Sequence, residues 1–77
     1  MHFENIWEQA EAIAKETRSD DVSDSLKRIQ ELTNKDLGPE GLGSLLFELA
    51  NISRIMNINV AAALLNAAED EKVNNYE

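Results

Sequence analysis

A chain of 77 residues makes one domain at most, with a core that is marginal unless a metal, disulfides or a partner chain supports it. It has no cysteine, which excludes disulfides, and its 43% hydrophobic content is too high for a disordered chain. A net charge of −8 repels phosphate backbones and anionic membranes, so direct nucleic-acid binding is not expected; a solvated surface, a cation site and a face for a basic partner all fit.

Met1-His2-Phe3-Glu4 has no basic segment followed by a long apolar run, so no signal peptide is expected there. The longest apolar stretch, Val60 to Leu65, is far too short to span a bilayer. The expected setting is cytoplasmic, without a membrane partner.

The first helix is predicted over about 3–18. Phe3, Ile6, Trp7, Ala10, Ile13 and Ala14 recur at the spacing of one helical face, and Glu4, Glu8 and Glu11 share a neighbouring one. Glu11 can pair with Lys15 one turn later. Ser19-Asp20-Asp21 is a break, with Asp20 or Asp21 capping a second helix over about 22–34. Its stripe is Val22, Leu26, Ile29 and Leu32 or Thr33. Residues 35–38 form a loop, and Pro39 stands in the first turn of a third helix over about 39–56.

That third helix is apolar nearly all round; only Glu48, Asn51, Ser53 and Arg54 break the pattern. Such a helix is central, or it faces a second subunit as well as its own core. Asn57 is expected as a left-handed C-cap and Asn59 as the N-cap of a fourth helix over about 60–72, with residues 73–77 frayed. The class is all-α, in a single domain over 1–77.

Little in the sequence supports catalysis. His2 is the one histidine and there is no cysteine, so zinc sites and nucleophilic triads lack their parts. Gly38, Gly41 and Gly43 have no lysine at phosphate-loop spacing. Glu4, Glu8 and Glu11 share a face, but a hard cation wants oxygens converging from more than one element. Helix 2 offers Asp20, Asp21 and Asp24, and helix 3 offers Glu40 and Glu48. Trp7 reads as a core anchor rather than a ligand-stacking residue, given its spacing with Phe3, Ile6 and Ala10.

From Pro39 to Leu64 the chain resembles the MazG-type nucleoside triphosphate pyrophosphohydrolases. That family carries a run like E-E-L-G-D-L-L-F, an N-L-A-R-like stretch, a short break and a helix with an A-L pair. The matching elements are Gly43, Leu45-Leu46-Phe47, Asn51, Arg54, the Asn57-Ile58-Asn59 break and Ala63-Leu64. The clear match covers about a third of the chain. The family's E-x-x-D magnesium ligands fall on Gly41 and Ser44, and Glu40 is one residue off, about 100° around the helix. The upstream E-E-x-x-E cluster falls on Asp24 to Arg28, where cations intrude. On helix 1, Trp7 to Glu11 keeps two of three acids. The family's Asn and Lys in helix 4 fall on Ala68 and Asp70.

The resemblance implies a four-helix MazG-like unit that has lost its metal-binding carboxylates, and the apolar circumference of helix 3 adds the expectation that it pairs with a copy of itself through helix 3, with helix 4 as a further candidate. The expected core is Ile6, Trp7, Leu26, Ile29, Leu45, Leu46, Leu49, Ile52 and Leu64, and the expected interface is Leu42, Phe47 and Ile55. The expected function is a non-catalytic binding or regulatory module acting through protein–protein contacts, with no cofactor. Two alternatives stay open. One is a weakly active magnesium-dependent pyrophosphohydrolase using Glu8, Glu11 and Glu40. The other is a small acidic inhibitor or antitoxin-like protein covering a basic surface on a protein partner.

Overall fold

The computed structural model describes residues 3–35 and 37–75, and all of its regular structure is helical. Four helices follow one another: α1 (Phe3–Thr17), α2 (Val22–Thr33), α3 (Pro39–Met56) and α4 (Val60–Asn75). No helix is long and apolar enough to cross a membrane, among the described residues.

Each boundary has a local cause. Asp21 caps α2, its carboxylate accepting from the Ser23 backbone N–H at 2.9 Å. Pro39 opens α3 at a position that needs no N–H donor. Asn57 closes α3 in the left-handed conformation (φ 55°, ψ 48°), with its N–H on the Ser53 carbonyl. Asn59 then caps α4 by accepting from the Ala62 N–H at 3.1 Å. α4 continues three residues past the expected end at 72. Its alanine-rich sequence has no glycine or proline to stop it, and Val73 to Asn75 remain helical.

α1 and α2 pack on α3. α4 does not join them: Val60 and Ala61 are half-buried, and every residue from Ala62 to Asn74 is exposed. The molecule is accordingly extended, 43 × 28 × 25 Å, with a radius of gyration of 13.8 Å. A compact chain of this length would have a radius of about 11.5 Å.

The most deeply buried residues of α3 are mostly polar, Asn51 facing α2 and Ser53 facing α1. Glu48, Asn51 and Ser53 are buried, together with Ser25 of α2, whereas the buried apolar residues are Ala14 and Ala50. Of the expected core, Trp7, Ile29, Leu45 and Ile52 are half-buried, but Ile6, Leu26, Leu46, Leu49 and Leu64 are exposed in the single chain. α2 shows the reason directly. It turns the face centred on Ser25, with Val22, Ile29 and Leu32 around it, toward α3, which leaves Leu26 about 100° away and half in solvent.

Candidate functional site

The polar interior consists of two hydrogen-bonded groups, one around Glu48 and Asn51 and one around Ser53. Glu48 accepts from Arg18 Nε at 3.0 Å and from the Ser25 hydroxyl at 3.2 Å. Asn51 Nδ2 donates to Ser25 Oγ at 2.8 Å and to the Ser19 carbonyl at 3.3 Å. Arg54 donates through Nε to Asn51 Oδ1 and through a terminal nitrogen to Asp20 at 2.9 Å. At the other end the Trp7 indole N–H donates to Ser53 Oγ at 2.9 Å, and Glu11 lies 2.8 Å from the same hydroxyl. Glu11 thus turns to α3 rather than to Lys15. No buried side-chain polar atom lacks a partner, among the described residues. Buried polar groups are tolerated when fully paired, and the geometry they impose is directional, so this pairing fixes how α1 and α2 sit on α3.

The side of α3 opposite Asn51 is apolar and largely open, apart from Ser53, which lies within it under the Trp7 indole. Leu42, Leu46, Leu49 and Met56 are exposed, and Leu45 and Ile52 are half-buried. All six fall within an arc of about 120° around the helix. Leu42, Leu45, Leu49, Ile52 and Met56 follow one another at spacings of 3, 4, 3 and 4, the repeat of a helix seam that packs against another helix. The Trp7 indole crosses the seam at Ser53, so its longest free stretch runs from Leu42 to Ile52. Phe3, Ile6 and Ile13 of α1 are exposed as well. A helix seam of this kind left open is unusual for a monomeric protein.

The expected interface residues divide. Leu42 is 49% exposed and belongs to the seam. Phe47 and Ile55 are half-buried toward the polar side, and the Arg18 guanidinium lies over the Phe47 ring at 4.9 Å.

Two grooves of about 440 and 450 Å³ flank the packed helices. The first gathers Glu4, Glu8 and Glu11 beside Trp7, whose ring lies 5.5 Å from that of Phe3. Glu40 is not with them. Glu11 touches Ser53, and Glu40 lies thirteen residues earlier on α3, about 20 Å along its axis. No three acidic, histidine or cysteine side chains are placed to share a metal ion, among the described residues. Ser44 is exposed and Gly41 half-buried on the first turns of α3. The second groove mixes Arg18, Lys27 and Arg28 with Asp24, Glu31 and Glu48. His2 lies outside the described residues.

Hydrogen bonds from the Ser23 hydroxyl and then the Ser23 backbone N–H hold Asp21 below the usual carboxylate range.

Compared with protein-family models, with curated proteins and with solved structures, the chain matches none.

Proposed function

We propose that the chain is a non-catalytic binding or regulatory module on a MazG-like helical scaffold, acting through protein–protein contacts, and that it pairs with a copy of itself through the open side of α3. The observation that carries this reading is the inversion of the single chain: polar residues fill the contact between its helices while Leu42, Leu46, Leu49 and Met56 face solvent. Area supports it. The chain exposes 6043 Å². A compact monomer of 8.6 kDa would expose about 4,700 Å². The surplus of about 1,300 Å² per copy amounts to about 2,700 Å² for a pair, within the range of obligate homodimers. Two-fold pairing doubles every contact, and two-fold dimers are the commonest oligomers.

The non-catalytic half of the proposal rests on Gly41 and Ser44 at the family's ligand positions and on the distance of Glu40 from Glu8 and Glu11. A magnesium–triphosphate site needs converging carboxylates and neighbouring cations. Release of pyrophosphate from a panel of nucleoside triphosphates with magnesium tests it. None is expected above the blank, and turnover that disappears in Glu8→Gln or Glu11→Gln would make the chain a hydrolase.

A further inference from the structure

We infer that α4 is an exchanged arm: its apolar first half, centred on Leu64 and Leu65, lies on the open apolar side of α3 in a second copy of the chain, and each copy receives the other's arm. This rests on the self-pairing proposed above and names the element that completes it.

α4 leaves the body in a fixed direction. The turn is pinned on one side by the left-handed Asn57 and by the Ile58 N–H, 2.9 Å from the Ser53 carbonyl. On the other side Asn59 caps α4 through both its side chain and its carbonyl. The helix thus projects from the body, and its own chain covers it only at Val60 and Ala61. Leu64 and Leu65 are each 58% exposed, among alanines that allow another helix to approach closely. Most helical stability in proteins comes from packing of an apolar face, and α4 has no such packing beyond Val60 and Ala61 in its own chain.

The same molecule carries a surface it can pack on. From Leu42 to Ile52 the free apolar side of α3 extends about 15 Å, and the apolar first half of α4 is about 12 Å long. Both are apolar and largely exposed, and α4 does not pack along its own α3. A second copy supplies both missing partners at once, and the two arms share the surplus surface with the α3 seam.

The absence of cysteine makes the test direct. A tagged Leu65→Cys copy is mixed with an untagged Leu46→Cys copy under mild oxidation, with Glu31→Cys as the control acceptor on exposed α2. In parallel, self-association of Leu64→Asp/Leu65→Asp is measured by sedimentation equilibrium, with circular dichroism confirming that the body remains helical. The expected results are a tagged–untagged disulfide specific to Leu46→Cys and association weakened at least tenfold. Weakening without the mixed disulfide overturns the exchange. An unchanged association constant overturns the role of the arm and leaves α3 pairing standing. A wild-type chain that stays monomeric overturns both.

Discussion

Glu48→Ala removes the acceptor at the centre of the polar interior. Glu48 is 3% exposed and holds Arg18 on one oxygen and Ser25 on the other. Breaking a fully buried ion pair costs about 3–5 kcal/mol. The Arg18 side chain is 28% exposed and can turn to water, so its share falls well below that figure. Ser25 is 1% exposed and cannot. It still accepts from Asn51, but its own hydroxyl proton loses its partner, at a cost of about 1–3 kcal/mol. The sum is about 3 kcal/mol, against a total of about 4–12 kcal/mol for a chain of this size. Glu48→Gln keeps the shape and one acceptor and costs about 1–2 kcal/mol. The wholly apolar Arg18→Met/Ser25→Ala/Glu48→Leu strands no charge and is expected to cost less than Glu48→Ala, about 1–2 kcal/mol, because Asn51 Nδ2 loses its Ser25 acceptor and keeps the Ser19 carbonyl. Urea unfolding at one fixed protomer concentration measures all three, since an associating chain gains apparent stability with concentration. A Glu48→Ala protein within 0.5 kcal/mol of wild type, a margin typical of surface substitutions, would mean that the polar system does not hold the helices together.

Three further substitutions probe other links. Trp7→Phe keeps most of the ring but deletes the donor to Ser53, and is expected to cost about 1 kcal/mol by urea unfolding, with Ser53→Ala adding little on top of it. Asn57→Gly is expected to be tolerated at its left-handed φ of 55°, whereas Asn57→Ala loses about 1 kcal/mol of thermal stability; equal melting temperatures for the two would contradict the role of that conformation in turning the chain. Asp21 has a lowered folded pKa, so its contribution is fully present above the unfolded carboxylate value and is lost as pH falls through the folded one. Asp21→Asn, which still caps α2 but does not titrate there, is therefore expected to lose less stability than wild type between pH 5 and the acid limit; parallel acid melting curves would speak against the Ser23 hydrogen bonds as the cause.

The helices were legible because their signals are local. Pro39, the Asn57–Asn59 turn and the acids before Val22 mark three boundaries, and apolar spacing marks the bodies between them. The orientation of α3 was not legible in the same way. Glu48, Asn51, Ser53 and Arg54 interrupt an apolar helix and look like its solvent side, yet Glu48, Asn51 and Ser53 are buried and Arg54 half-buried. The partners of Glu48, Asn51 and Arg54 are Arg18, Ser19, Asp20 and Ser25, polar residues at the end of α1, in the turn and on α2, so no apolar periodicity points to that contact. A signal was available in the polar spacing itself: Glu48 and Asn51 stand three apart, as residues sharing one helical face do. Leu26 and Leu49 stayed ambiguous because hydrophobic spacing says which residues want cover, not which chain provides it. Phe47 belongs to the same problem, since its ring serves Arg18 within the chain.

Sedimentation equilibrium of the wild type beside Leu49→Asp decides whether the chain pairs through the α3 seam. Leu49 is 39% exposed in the single chain, so an aspartate there need not disturb the polar contact of α1 and α2, and circular dichroism checks that the helices persist. Buried in a seam, each Leu49 contributes about 1.5–3 kcal/mol, and a two-fold interface loses two of them while gaining two desolvated carboxylates. The account predicts a wild type at twice the 8.6 kDa chain mass at micromolar concentration and a folded Leu49→Asp at the chain mass. A wild type that sediments as a single chain at that concentration, or a Leu49→Asp variant that keeps the wild-type mass, contradicts it.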